Sequence, residues 1–218
     1  MSAVTIVVLA KEPHPGRVKT RLCPPCTPIE AANLAAAALA DTLAAVAVAP
    51  ARERVLVLDG RPGAWLPHGL RVVPQVPGDL GVRLSAAFAA VGGPALLVGM
   101  DTPQLQPTEL ASAADALVAP GTHAVLGLAR DGGWWALGLQ RPHDDVFAGV
   151  PMSTPHTGAR QRSRLAELGL TVAMLPEHRD VDHFDDALAV AAAAPNTRFA
   201  ATVSAVDAAI ELRASAVG

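Results

Sequence analysis

Four cations, Lys11, Arg17, Lys19 and Arg21, are strung along one short stretch between Ala10 and Leu22. Lys11 and Lys19 are the only two lysines in the chain, against fifteen arginines. A compact ammonium on a flexible stem can follow a shifting phosphate charge, whereas a guanidinium grips a fixed one through a bidentate fork. The pattern points to an anion site for phosphate, with a solvated basic loop as the bland alternative. Asp101 is the second candidate. It follows the apolar run Ala95–Gly99, and Pro103 turns the chain away just after it. A carboxylate in that position suits a hard divalent cation, Mg²⁺ or Mn²⁺, because such ions in phosphate sites use one or two carboxylates plus substrate oxygens. Capping of the following turn is its simpler role. Asp180 and Asp182 offer a partner carboxylate. Their period-two spacing puts both on one side of an extended segment, and Asp182 is taken ahead of Asp180 as the second metal ligand.

Two further loops fit a ligand cleft. Gln75, Gly78, Asp79 and Leu80 lie where a short strand meets a helix; Gln75 and the backbone amides there could face a base or ribose, while Asp79 also suits a helix N-cap. Asp131-Gly132-Gly133 follows another strand, and paired glycines allow either a tight turn or close backbone approach by an acceptor. Of Trp134 and Trp135, which alternate across a strand, at most one should line the cleft. Cys23 and Cys26 form a Cys-Pro-Pro-Cys sequence, but a structural zinc site wants four ligands and no second pair exists. They read as ordinary loop thiols. The histidines show no metal spacing.

These residues need a scaffold, and the chain alternates strand and helix signals that supply one. Ala3 to Leu9 is a buried strand. Thr27, Pro28 and Glu30 form a capping-box start for an alanine-rich helix to about Val48. Strands are expected at 54–58, 70–73, 94–98, 123–128, 134–139 and 170–175. Helices are expected at 79–91, from 107, at 157–168, after 182 and at 204–214. Such alternation argues an α/β fold with a mostly parallel sheet covered on both faces. No repeat or low-complexity linker divides the chain, so residues 1–218 are read as a single domain. Ligands of open α/β sheets bind at strand carboxyl ends, where the basic loop and Asp101 both fall.

Composition narrows the function classes. The net charge is −3, the pI about 6.1 and tyrosine is absent. There is no electrostatic footprint for nucleic acid and no aromatic platform for single strands. The most apolar stretch, Ala31 to Ala49, is mostly alanine with Asn33 and Asp41 inside it, which speaks against a membrane span. Met1-Ser2-Ala3 runs into the first strand without a charged leader, so a cytoplasmic home is expected. The P-loop, the Gly-x-Gly-x-x-Gly dinucleotide fingerprint and the Gly-x-Ser-x-Gly elbow are all missing.

Taken together and in order, several segments resemble a known family. They are Lys11-Glu12-Pro13 with Pro15 to Leu22, Gln75 with Gly78 to Leu84, Gly99 to Leu105, Asp131-Gly132-Gly133, Pro151 to Thr154, and Asp180-Val181-Asp182. They resemble bacterial radical-SAM/selenodomain-associated transferases, inferred glycosyltransferases within the nucleotide-diphospho-sugar transferase superfamily. Lys19-Thr20-Arg21-Leu22 is also similar to the Lys-Ser-Arg-Leu of phospholactate guanylyltransferases. The resemblance implies a GT-A (Rossmann-like) three-layer αβα sandwich, a bound nucleotide and a divalent metal near Asp101. Val82, Trp134, Trp135 and Met152 depart from the usual pattern and loosen any transfer of acceptor specificity.

Two types of transfer remain open at this stage. The single acid at the strand end and the strongly cationic loop point to nucleotidyl transfer, from an NTP to a small phosphorylated or sugar acceptor. Lys19 and Asp101 would then be the catalytic pair, and Lys19 should matter little for folding. The family label points to glycosyl transfer from a nucleotide sugar. A catalytically silent nucleotide-binding regulator is a third reading, from another class. Expected partners are a nucleotide or nucleotide sugar and a small acceptor, and a homodimer is compatible with all three.

Overall fold

The computed structural model describes residues 2–63 and 65–216. Seven strands form one sheet: β1 (Thr5–Lys11), β2 (Glu53–Asp59), β3 (Arg71–Pro74), β4 (Ala95–Gly99), β5 (Ala124–Ala129), β6 (Trp134–Leu139) and β7 (Val172–His178), in the order β3-β2-β1-β4-β6-β5-β7. All pairings are parallel except those of β6, which runs antiparallel to both β4 and β5. The helices are α1 (Pro28–Val48), α2 (Leu80–Val91), α3 (Pro107–Val118), α4 (Thr157–Glu167), α5 (Phe184–Ala193) and α6 (Arg198–Ser215).

Strand alternation divides the core between the two faces. Ile6, Val8 and Ala10 of β1 pack with Leu39, Leu43 and Val46 of α1 and Leu110 of α3. Val7 points the other way, into a cluster with Leu84 and Phe88 of α2 and Leu165 of α4. This is the three-layer α/β sandwich expected from the alternation. An addition lies outside α1, where α5 and α6 bury Leu34 and Ala38 of α1 together with Phe184, Phe199 and Val203. Helix α1 is therefore packed on two sides, and truncating Leu43, fully buried against the sheet, should cost about 2–5 kcal/mol. Among the described residues α1 is the one helix long and apolar enough to cross a membrane, and 56% of its most apolar window is buried within the molecule.

Three elements depart most from the expected boundaries. Strand β1 covers Thr5–Lys11 rather than Ala3 to Leu9. Strand β7 runs on to His178, pairing its last residue with Ala129 across a register shift. Helix α6 begins at Arg198 rather than near Ser204, because its first turn has a partner distant in sequence. Asp41 of α1 accepts the N–H groups of Arg198 at 3.2 Å and Phe199 at 2.8 Å, satisfying donors that a helix start leaves free.

Candidate functional site: a two-lobed cleft at the strand ends

The carboxyl ends of β1, β4, β5 and β7 share one rim with the amino end of β6, and the candidate residues gather there. The connection from β1 to α1 contains a single 3₁₀ turn, Thr20–Leu22. Lys19 precedes it in a left-handed conformation, φ 48° and ψ 38°, uncommon for a residue with a side chain. The Lys19 carbonyl accepts the Leu22 N–H at 3.0 Å, and Leu22 is fully buried. The turn is thus anchored by an apolar side chain, which aims Lys19 across the cleft.

Lys19 Nζ donates to Asp101 Oδ2 at 2.7 Å and also to the carbonyl of Val181. Its side chain is only 12% exposed, that of Asp101 32%. Gly99 leaves the room this requires, since a Cβ there would stand 2.9 Å from Asp101 Oδ1. Arg21 Nη1 reaches Asp182 Oδ2 at 2.5 Å. These two ion pairs tie the loop after β1 to the ends of β4 and β7, and they form a seam between two cavities. Lys19 therefore has partners within the fold as well as a face toward the cleft.

On one side of the seam lies a basic lobe of about 650 Å³, lined by Lys11, Arg17, Lys19, Arg21, Gln75, Gly78, Asp79, Leu80 and Arg83. Lys11 and Arg17 are exposed and have no ion-pair partner among the described residues. Gln75 is largely spoken for. Its amide donates to the carbonyls of Ala10 at 2.7 Å and Val57 at 3.2 Å, which leaves only Oε1 to offer, and Arg83 approaches that at 3.4 Å. Asp79 caps α2 by accepting the Val82 N–H at 2.9 Å. Gly78 sits at φ 131°, and Leu80 lines both lobes.

On the other side lies an acidic lobe of about 490 Å³ that includes Asp101, Asp131, Gly133, Trp134, Met152, Asp180 and Asp182 in its lining. Burial pushes the Asp180 carboxyl up to about 7, with Asp101 and Asp131 adding repulsion and Lys19 partly opposing it. Its Oδ1 is buried without a hydrogen-bond partner. Trp134 faces the lobe, while Trp135 is buried on the opposite face and donates to the Pro176 carbonyl at 2.9 Å. Gly132 is not part of this lining. It adopts φ 89°, and a Cβ there would meet the Pro155 carbonyl oxygen at 1.9 Å. Its carbonyl accepts the Gly158 N–H at 2.8 Å, so this glycine packs against the first turn of α4.

A model of DUF2064, a family described as an uncharacterized protein conserved in bacteria, matches residues 32–154. The chain belongs to that family. The matched span holds Asp101 and Asp131 but starts after the basic loop. A comparison with the curated proteins gives no match. Among solved structures, the chain is similar to a protein of Desulfovibrio desulfuricans G20 provisionally named a nucleotide-diphospho-sugar transferase, with 26% identity, TM-score 0.84 and 97% and 98% of the two chains covered. It shares its fold with Rv0371c of Mycobacterium tuberculosis H37Rv in complex with manganese, at 24% identity, TM-score 0.53 and coverage of 87% and 98%. It also shares it with CMP:2-keto-3-deoxy-manno-octonic acid synthetase complexed with CTP, at 12% identity, TM-score 0.57 and coverage of 88% and 98%. This DUF2064 chain thus has the α/β architecture of nucleotidyl and nucleotide-sugar transferases.

Within that architecture the acidic lobe fits a hard cation. Its donors are carboxylates, and one of them carries a buried oxygen with no partner. No group of three His, Cys, Asp or Glu among the described residues could hold an ion alone, so the fit is of the kind that takes one or two carboxylates and completes the shell from substrate phosphates and water. Arg83 and Ser153, which also line the cleft, were not singled out from sequence. Arg83 stands one turn beyond the Asp79 cap, a spacing that puts it at the helix start. Ser153, at φ 58°, had only its place in the Pro151 to Thr154 segment to mark it. Cys23 and Cys26 lie in the loop before α1 as expected, but the Cys26 side chain is buried in the core, 5% exposed, and burial pushes its thiol up to about 11.

Proposed function

We propose that this chain is a metal-dependent nucleotidyltransferase that moves a nucleotidyl group from an NTP to a small acceptor. The observation that carries this reading is the meeting of a basic and an acidic lobe at the Lys19–Asp101 ion pair. A triphosphate belongs in the basic lobe, against Lys11, Arg17, Lys19 and Arg21, with the base and ribose toward Gly78, Asp79 and Leu80. The acceptor belongs in the acidic lobe beside Asp131 and Gly133. Its oxygen attacks the α-phosphorus, the bond from that phosphorus to the bridging oxygen breaks, and pyrophosphate leaves toward the cations. The acceptor's proton passes to solvent. A divalent ion at this site would neutralise phosphate charge as the transfer proceeds. We assign Asp101 to hold it together with Asp180, whose buried Oδ1 has no hydrogen-bond partner, or with Asp182, once Arg21 turns from it to a phosphate. Lys19 is placed to turn its ammonium from Asp101 to a phosphate oxygen.

The 26% identity to a protein named for nucleotide-diphospho-sugars supports a second reading, glycosyl transfer from a nucleotide sugar. A thermal-shift panel of NTPs and nucleotide sugars with Mg²⁺ or Mn²⁺ tests both. Binding at a hundredfold excess over Kd should stabilise the protein by about 2.7 kcal/mol. Pyrophosphate release on turnover supports nucleotidyl transfer, and nucleoside diphosphate release supports glycosyl transfer. Stabilisation without turnover across a broad acceptor panel would mark a silent nucleotide-binding protein.

A further inference from the structure

The lining of the acidic lobe selects what can enter it. Arg21 is the only lysine or arginine there, and it is committed to Asp182 at 2.5 Å. Asp101 is held by Lys19 at 2.7 Å and Asp186 by Arg179 at 3.2 Å. Asp131 and Asp180 have no ion-pair partner among the described residues. The Thr157 hydroxyl is already donated to the Pro151 carbonyl at 2.7 Å. Ser153 and His183 add a hydroxyl and an imidazole, but the five carboxylates make the polar part of the lining mainly an acceptor surface. The apolar part of the wall is Leu84, Leu97 and Met152 beside Trp134. The Trp134 ring stacks on Phe147 at 6.5 Å and 24°, which fixes its orientation.

We propose that this lobe takes an unphosphorylated polyhydroxylated ring, a sugar or cyclitol, with hydroxyls donating to the carboxylates and a C–H face on Trp134. The inference rests on the transferase reading only in naming this ligand the acceptor. Ionised carboxylates accept hydrogen bonds and cannot donate them, and Asp180, pushed up to about 7 by burial, joins them above that pH. A phosphate dianion is likewise an acceptor, so in the metal-free lobe it would meet like charge with no proton between, whereas hydroxyls satisfy the lining. The negative face of an indole favours the polarised C–H groups along one side of a sugar ring. A cavity of about 490 Å³ falls within the range for small-molecule sites. A phosphorylated acceptor, one of the two expected from sequence, suits this lining poorly.

The test is binding by ligand-observed NMR at pH 8, without nucleotide or divalent metal, of glucose, N-acetylglucosamine and myo-inositol, each paired with its monophosphate. At least one unphosphorylated ring should bind about tenfold or more tightly than its phosphate, as like-charge juxtaposition requires. Trp134→Ala should weaken that ring about tenfold while NTP affinity in calorimetry holds. Asp131→Lys changes an exposed side chain whose Oδ1 accepts the Gly133 N–H at 2.8 Å; with circular dichroism as the folding control, it should reverse the preference toward the phosphate. Tighter binding of the phosphates to the wild type, binding of none of the rings, or an unchanged preference in Asp131→Lys would overturn the inference. Because no nucleotide is present, failure of the donor panel would sink the transferase reading and leave this result standing, and the reverse also holds.

Discussion

The two lobes of the cleft hold their charges in different ways. The cations of the basic lobe come mainly from one contiguous loop, and Lys11 and Arg17 stand exposed on it. The carboxylates of the acidic lobe come from three separate strand ends, after β4, β5 and β7. Asp180 is buried deeply enough there that its carboxyl rises to about 7. Exposed loop cations cost little to maintain and can move with a ligand, whereas clustered, partly buried carboxylates are costly until something neutralises them. One lobe is adaptable and the other is preloaded. That contrast supports a mobile polyphosphate on one side, and a cation with a hydroxyl-rich acceptor on the other.

The largest expected effect breaks the seam itself. Asp101→Asn keeps shape and capping ability but removes the charge, so turnover should fall by about a hundredfold or more. The same change leaves Lys19 unpaired at 12% exposure, costing roughly 1–3 kcal/mol of stability, less than for a fully buried pair. Turnover against Mg²⁺ or Mn²⁺ concentration, with circular dichroism as the folding control, reads both. Wild-type turnover in the variant would make Asp101 a turn residue. Next comes Gly132→Ala, which should destabilise by about 2–4 kcal/mol through a left-handed alanine and overlap with Pro155, as read from denaturant midpoints. A neutral result would return Gly132 to the acceptor site.

The acidic lobe can also be sharpened by pH. Asp180 has its folded-state pKa raised to about 7, above the roughly 3.9 of an unfolded aspartate, so the folded state holds the proton longer. In metal-free protein this makes stability fall as pH rises from about 4 to about 7, by roughly 2–4 kcal/mol. The groups facing it are Asp101, Asp131, Asp182 and Lys19. Asp180→Asn should flatten the slope and raise the melting temperature at pH 8. An unchanged slope would remove Asp180 from the buried cluster.

The same contrast explains what could be read from sequence. Sheet, helices and basic loop were legible because each is local: apolar runs, a Thr27–Glu30 capping box, and cations crowded into one stretch. The placement of Asp101 at a strand end was legible for the same reason. The pairing of Asp182 with Arg21 was not, because the two lie 161 residues apart. Gly132 looked like a ligand-approach glycine, yet its neighbour Pro155 arrives only through the path from β6 to α4. Gln75 appeared free for a base until the ends of β1 and β2 claimed its amide. The early start of α6 rests on Asp41, a residue of α1, together with the local cap Thr197, whose hydroxyl accepts the Ala200 N–H. Long-range partners, invisible to spacing, decided the others and shared in this one.

The account's central claim is that donor phosphates bind on the basic side of the seam alone. Calorimetric titration of an NTP with Mg²⁺ into wild type, Lys19→Ala and Asp131→Asn tests it most directly. Loss of a charge-assisted hydrogen bond should weaken donor binding in Lys19→Ala by about 1.5–3 kcal/mol, with circular dichroism confirming that the variant is folded. Asp131→Asn should stay within about twofold of wild type, or about 0.4 kcal/mol. Donor affinity that is unchanged in Lys19→Ala, or that falls as far in Asp131→Asn, would contradict the division of the cleft.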